Sequence, residues 1–134
     1  MLTSVIECKS LRIPLQILDF VIDTGSPNSY LSDKDVKRLH IPIKDRPTLE
    51  RVDFGGSRFK QVSLPKIHLH LLNENKEDIL LSVSLTALKT TKASERNIQI
   101  AESLPSILGI DFLKEQALSL HVILTENLAY LERA

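Results

Sequence analysis

One short motif in the sequence has the residue types and spacing needed for acid–base chemistry. It consists of Asp23, Thr24, Gly25 and Ser26, and it directly follows an apolar run at residues 17–22. A carboxylate that a buried strand delivers into a tight glycine turn is held in place and can exchange a proton during catalysis. Asp23 is therefore the first candidate for a catalytic residue. The simpler alternative is a turn carboxylate that caps its own loop, since Asp and Gly are common in turns.

The glycines of the chain are few, and each marks a place where the backbone must turn tightly or approach another segment. Gly25 lies beside Asp23, Gly55 and Gly56 are adjacent, and Gly109 lies inside a second apolar block, ILGIDFL. Strand-like segments flank the glycine pair, which predicts a β-hairpin with a glycine tip. Gly109 is expected to permit close packing in support of the Asp23 loop.

The elements that must position these residues are mostly strands, with two short helices and one unpatterned stretch. Ser32 and Asp35 form a capping box at the start of the first helix, residues 32–39, and the second helix covers residues 110–116. Residues 86–103 are predicted to form an excursion or a mobile loop. The predicted strands cover residues 3–8, 11–18, 19–23, 48–54, 58–64, 66–71, 79–85, 118–123 and 128–131.

Composition indicates one ordinary globular domain, residues 1–134, and excludes several classes of partner. The 17 basic and 17 acidic residues are spread along the chain, so no electrostatic footprint for nucleic acid or an anionic membrane is present. The single cysteine, Cys8, excludes an internal disulfide framework and a cysteine-rich zinc site. No signal-peptide pattern and no long apolar run occur, which predicts a cytoplasmic location.

At the Asp23 motif the chain resembles the aspartic proteases, specifically their single-lobe, retropepsin-like branch. The resemblance rests on residues 21–26 as the catalytic loop, on Gly55 and Gly56 as the tip of a flap, and on residues 107–113 as the family's I-L-G block with its short helix. It implies a mostly β fold, a single-lobe acid-protease β-barrel with one or two short helices. The chain departs from compact viral enzymes at residues 86–103, which are longer, and in the hairpin after the last helix.

The resemblance also implies how the chemistry would work. Peptide hydrolysis by this route uses two carboxylates about 3 Å apart that share one proton. The chain contains one D-T-G triplet and is too short for two lobes. A homodimer with one Asp23 from each subunit would supply the pair, and no cofactor or metal would be needed. The implied function is an aspartic endopeptidase acting on a peptide or protein substrate.

By the same resemblance, the neighbours of Asp23 receive supporting roles. Thr24 would hydrogen-bond across the dyad to the loop of the second subunit. The backbone N–H of Gly25 would approach the carboxylate, and Ser26 would donate to its outer oxygen. Leu108 and Gly109 would support the loop structurally. The hairpin at Gly55 and Gly56 would close over the substrate. The simpler alternative for this glycine pair is an ordinary hairpin turn.

Other interpretations stay open. The chain could be a catalytically silent module of the same fold that dimerises or binds extended peptides, or a fragment whose partner supplies the second acid. His68 and His70 have the spacing of a metal pair, but no third ligand is evident, and solvent-facing histidines are the simpler interpretation. Asp111 could be read as a second acid, yet its place at a helix start favours a structural role.

Overall fold

The computed structural model of the chain describes residues 1–91 and 94–133. Within this part there are three α-helices, α1 (Asp33–Arg38), α2 (Glu95–Ser103) and α3 (Ile110–Glu115). The strands, numbered in chain order, are β1 Leu2–Cys8, β2 Ile13–Ile22, β3 Tyr30–Leu31, β4 Thr48–Phe54, β5 Ser57–Ser63, β6 Ile67–Leu72, β7 Asp78–Val83, β8 Thr86–Thr90, β9 Ser106–Leu108, β10 Leu118–Ile123 and β11 Leu128–Arg133. The mostly β prediction is confirmed, whereas the expected one or two helices were too few.

Nine of the strands form one mixed sheet, in the order β4-β5-β8-β3-β9-β2-β1-β6-β7. The pairs β2–β9 and β3–β8 are parallel, and the other neighbours are antiparallel. Strands β4 and β7 are the two edges and are not paired with each other within the described residues. Hydrogen bonding therefore leaves the sheet open and does not close it into a barrel.

The main core lies where alternate residues of the strands and one side of the short helices meet. In β6, Ile67 and Leu69 are fully buried and alternate with the histidines at 68 and 70. In β2, Leu18 and Phe20 are buried while Asp19 between them is exposed. The reason is the same, since successive side chains of a strand point to opposite faces of the sheet. The alternation visible in the sequence therefore decides which face of the sheet each strand buries.

Two local predictions were wrong. Residues 11–18 and 19–23 were expected to form separate strands, but Leu11 belongs to a 3-10 turn and one continuous strand, β2, runs from Ile13 to Ile22. Residues 86–103 were expected to form an excursion or a mobile loop without a strand or helix of its own, but they contain β8 and α2; positions 92 and 93 of that stretch lie outside the described residues. Ala101 is the one buried residue of α2, so the helix has too narrow an apolar stripe to be recognised by periodicity.

The two predicted helices are present, as is the closing hairpin. Ser32 caps α1 by accepting a hydrogen bond from the backbone N–H of Asp35, as the sequence predicts. Strands β10 and β11 pair with each other in a separate two-stranded sheet that follows α3. Among the described residues, no helix has both the length and the apolar character needed to cross a membrane.

Candidate active site

The end of β2 delivers Asp23 into its turn, and β9 holds it there. Val21 and Ile22 pair in parallel with Ile107 and Leu108. The ladder continues one step further, because the backbone N–H of Asp23 donates to the carbonyl of Leu108 at 3.0 Å. The second apolar block of the sequence is therefore directly beside the first, and Leu108 supports the position of Asp23 as expected.

A tight turn then orients the Asp23 carboxylate. The N–H of Ser26 donates to the backbone carbonyl of Asp23 at 3.1 Å, and the N–H of Gly25 donates to Asp23 Oδ1 at 2.8 Å. The expected approach of the Gly25 N–H to the carboxylate is thus observed. A Cβ at Gly25 would lie 3.1 Å from the same oxygen, so a larger residue would crowd this bond. The turn fixes one carboxylate oxygen through a backbone donor.

Ser26 does not have the hydrogen bond predicted for it. Its hydroxyl donates to the carbonyl of Asn28 at 2.7 Å, and the residue is buried. A hydroxyl has one proton, so this bond excludes simultaneous donation to the Asp23 carboxylate. Ser26 instead bonds to the loop two residues beyond itself, where it closes the next turn. The expectation that Ser26 donates to the outer oxygen of Asp23 is therefore wrong for this chain.

Gly109 is required by close packing between two backbone segments. A Cβ built on it would lie 2.4 Å from the carbonyl oxygens of both Ser26 and Asn28, well inside van der Waals contact. The next residue uses this proximity, because the N–H of Ile110 donates to the Ser26 carbonyl at 2.9 Å. The loop that begins at Asp23 therefore rests on the junction of β9 and α3.

A side-chain clamp that the sequence interpretation missed fastens the same junction. The Ser29 hydroxyl donates to Asp111 Oδ1 at 2.6 Å, and the Ser29 N–H donates to Oδ2 at 3.2 Å. The Ser29 hydroxyl also accepts from the N–H of Gly109 at 2.9 Å. Asp111 Oδ1 further accepts from the N–H of Phe112 at 2.8 Å, which is the helix-start role expected of Asp111. Asp111 is fully engaged in holding the loop.

Thr24 and Gly25 form the exposed tip of the loop, while Asp23 is half-buried. A carboxylate in this state is reachable by water and by a ligand, and it is anchored well enough to act as a positioned base. The described chain places one such carboxylate in the loop. The arrangement can take a proton from water, but donation to a substrate carbonyl at the same time needs a second acid.

The predicted glycine-tipped hairpin is present, and its tip contacts the residue that follows α2. Gly55 and Gly56 have φ of +60° and +85°, as a two-residue hairpin turn between β4 and β5 requires. The nearest atoms to a Cβ built on Gly55 belong to the side chain of Leu104, which follows α2. The ring of Phe54 contacts that of Tyr30, with centroids 5.9 Å apart. The hairpin is thus joined to the strand that follows the Asp23 loop.

The remaining candidates do not form a second site. Among the described residues no group of three or more histidine, cysteine or acidic side chains has metal-binding geometry. His68 is exposed, and His70 lies between two carboxylates, Glu7 and Asp78. These hydrogen bonds, with the one to Glu7 the larger cause, raise the pKa of His70 above its ordinary value.

The structure therefore brings Asp23, Gly25, Leu108 and Gly109 together and adds residues that sequence reasoning did not place. Ser29 had no pattern that would have singled it out. Searches of the chain against models of known protein families and against curated proteins find no match.

Proposed function

We propose that the chain is an aspartic endopeptidase of the retropepsin-like type. The observation that carries the proposal is the Asp23 turn, in which a half-buried carboxylate accepts a backbone hydrogen bond from Gly25. This turn rests on the Leu108–Gly109 segment so closely that only glycine fits. The side chain of Asp23 is held by the Gly25 N–H, and its main chain is held by the bond from its own N–H to the carbonyl of Leu108.

The active form in this proposal is a homodimer in which each subunit contributes one Asp23. The exposed loop tip at Thr24 and Gly25 is available to face its copy across a two-fold axis. The C-terminal hairpin supports the same arrangement, because it presents exposed apolar side chains at Val122, Leu124 and Tyr130. A groove of about 1050 Å³ separates this hairpin from Val21 and Ile22, the residues that lead into Asp23. A second copy would cover apolar surface that water otherwise contacts.

In the proposed reaction the two Asp23 carboxylates share one proton. The ionised member takes a proton from water, which attacks the substrate carbonyl carbon, while the protonated member donates its proton to the carbonyl oxygen. The tetrahedral intermediate then collapses: the carboxyl that took the proton from water passes it to the amine nitrogen, and the C–N bond breaks. The other carboxylate recovers its proton from the former carbonyl hydroxyl, which restores the dyad. No covalent bond to the enzyme forms. The hairpin at Gly55 and Gly56 would cover an extended peptide and bind its backbone by strand-like pairing.

The test is cleavage of an unfolded protein across about pH 3 to 7, where a shared-proton dyad titrates. Wild type, Asp23→Asn and Asp19→Asn are compared, with products identified by mass spectrometry. Asparagine keeps an oxygen that can accept from the Gly25 N–H, so Asp23→Asn should fold normally. Asp19 is exposed on the same strand and is the matched control. Cleavage that Asp19→Asn retains and Asp23→Asn loses is the expected result.

The homodimer is tested by mixing. Excess Asp23→Asn protein added to wild type should lower activity as mixed dimers form, whereas excess Asp19→Asn should not. Cleavage that depends linearly on wild-type concentration, from a chain that sediments as a monomer, would contradict the shared dyad. A folded dimer with no cleavage of any substrate would instead favour a silent, peptide-binding module.

A further inference from the structure

The tip of the β4–β5 hairpin has little support from the sheet. Strand β4 is an edge strand, and the ladder between β5 and β8 begins only at Phe59, paired with Thr90. Within the described residues, the strand partners nearer the tip all lie in the hairpin itself, at Asp53 with Arg58 and at Phe54 with Ser57, although the Thr91 hydroxyl also donates to the Arg58 carbonyl at 3.0 Å. An isolated two-stranded hairpin is at best marginally stable in water. The glycine tip therefore needs contacts from outside the sheet to stay in one position.

Helix α2 and the residue after it supply those contacts. The Ser57 hydroxyl donates to Asn97 Oδ1 at 3.1 Å, and Ser57 is only 6% exposed although it belongs to the tip. The side chain of Leu104, the residue that follows α2, lies against Gly55. A Cβ on Gly55 would come within 2.6 Å of Leu104 Cδ2. The tip is thus held by one polar contact from α2 and one apolar contact from the residue that follows it, and Thr91 adds a hydrogen bond at Arg58.

A small apolar cluster, separate from the main core, joins the hairpin and α2 to β3, the strand that follows the Asp23 loop. Its buried members are Tyr30, Phe59, Leu88 and Ala101, and Val52, Phe54 and Leu104 pack against them. Val52 and Phe54 are also the two side chains of β4 that are not exposed. Asn28 of the loop donates to the Tyr30 hydroxyl at 3.4 Å. A displacement of the hairpin that moves Tyr30 would therefore also move the loop.

We propose that Asn97 and Leu104 are positioning residues that hold the glycine tip of the hairpin and set how often it opens. The inference rests on the proposed function for its consequence in catalysis, but the mechanical statement does not require activity. A register shift between Leu49 and Val52 gives the hairpin a bend near its base. The base itself is fastened, since the Ser63 N–H donates to the Pro47 carbonyl at 2.8 Å. The hairpin can therefore move at its tip while its base stays fixed.

Amide hydrogen exchange of residues 52–59, measured by mass spectrometry on the intact chain, tests whether α2 and the residue after it hold the hairpin tip. Asn97→Ala removes the acceptor of the Ser57 bond, and we expect exchange there to become about 2- to 12-fold faster, the factor that matches the net contribution of one hydrogen bond. Alanine is also the better helix former, so α2 itself should not be weakened. Ser57→Ala removes the same bond from the other side and should have a similar effect.

Two controls make the result specific. Asn97→Asp keeps an oxygen that accepts from Ser57, and exchange should return to within about twofold of wild type. Asn75→Ala changes an exposed asparagine at the tip of the β6–β7 hairpin and should leave residues 52–59 unaffected. Unchanged exchange in both Asn97→Ala and Ser57→Ala would overturn the proposal. Equal acceleration by Asn97→Asp and Asn97→Ala would overturn it as well.

Kinetics then separate this proposal from the proposed function. If wild type cleaves peptide, Asn97→Ala should raise KM by about 2- to 12-fold with a smaller change in kcat. The reason is that the hairpin would bind the substrate and the transition state equally well, so its loss would weaken binding more than it slows the chemical step. Asn97→Asp should restore KM. If wild type cleaves nothing, the proposed function fails, and the exchange experiment still decides whether α2 holds the hairpin.

Discussion

The hydroxyl of Ser29 donates a hydrogen bond to the carboxylate of Asp111 at 2.6 Å, although the two residues are 82 positions apart in the chain. Through this bond the loop that contains Asp23 is fastened to the start of α3. The same hydroxyl accepts from the N–H of Gly109. A single buried side chain thus organises both segments that support the candidate catalytic residue.

Replacing Ser29 by alanine should destabilise the protein by about 1–3 kcal/mol, because the buried N–H of Gly109 and the Asp111 carboxylate each lose a partner. Urea unfolding measures the change, with an unaltered slope expected. Ser84→Ala, at an exposed position, serves as the matched control and should change the free energy of unfolding by no more than about 0.5 kcal/mol. Equal stability of the two variants would show that the clamp contributes nothing.

Substituting Gly109 by alanine should cost about 1–3 kcal/mol and displace the loop, because the added methyl group meets two backbone carbonyls at 2.4 Å. Gly56→Ala is the comparison. Its Cβ meets nothing within 4 Å, so its cost comes only from the φ of +85°. Thermal unfolding ranks the two losses, and amide chemical shifts locate the change. Shifts at Ser26 and Asn28 should move in Gly109→Ala alone, and their constancy would argue against the contact.

Stability should depend on pH through His70, whose Nε2 lies 3.2 Å from Glu7 Oε1 and whose Nδ1 lies 3.3 Å from Asp78 Oδ2. These partners raise the pKa of His70 in the folded state. A raised folded pKa favours the protonated form, so its contribution is complete below the ordinary value of 6.5 and is lost as pH rises through the folded pKa.

Urea unfolding between about pH 6 and 8 measures this dependence. In wild type the free energy of unfolding should fall as pH rises, in part because His70 loses its proton. In His70→Gln that part of the fall should be absent. The difference in stability between the two proteins should therefore be largest at the acid end of the range. His68→Gln, on the same face of β6 but exposed, should keep the wild-type profile. Parallel profiles for wild type and His70→Gln would contradict the ion pairs.

Ser106→Ala should also be destabilising, by about 1–3 kcal/mol or more, because it opens a buried polar network. The Ser106 hydroxyl donates to Asp35 Oδ2 at 2.6 Å and accepts from the Ser32 N–H at 2.9 Å. Its loss would remove a partner from Asp35 Oδ2 and from the buried Ser32 N–H where α1 meets β9, while Asp35 Oδ1 keeps Arg38 at 3.5 Å. Chemical denaturation beside Ser82→Ala, an exposed serine of β7, provides the check. A loss no larger than that of Ser82→Ala would mean that the network has another acceptor and donor.

Part of this architecture could be predicted from residues a few positions apart. The Asp23 turn needs Gly25, whose N–H reaches the carboxylate. The cap of α1 needs Ser32, and the tip of the β4–β5 hairpin needs two residues with positive φ, for which Gly55 and Gly56 suffice. Each of these depends on local hydrogen bonding and backbone sterics, which the neighbouring residue types determine.

Strand boundaries and α2 were less predictable. Local patterning divides β2 into two strands, but its pairing with both β1 and β9 keeps it continuous. Helix α2 buries only Ala101, which packs with Tyr30, Phe59 and Leu88, residues far from it in the chain. Tertiary packing outweighs weak local preferences in both cases.

The sequence by itself determined a carboxylate in a glycine turn at the end of an apolar strand, because turn formation and strand burial depend on the types of neighbouring residues. Only the tertiary structure decided what holds that turn. The parallel pairing of Ile22 with Leu108 and the bond from Ser29 to Asp111 join segments far apart in the chain. Such contacts form only after the sheet order brings β2 and β9 together, and no local pattern encodes that order.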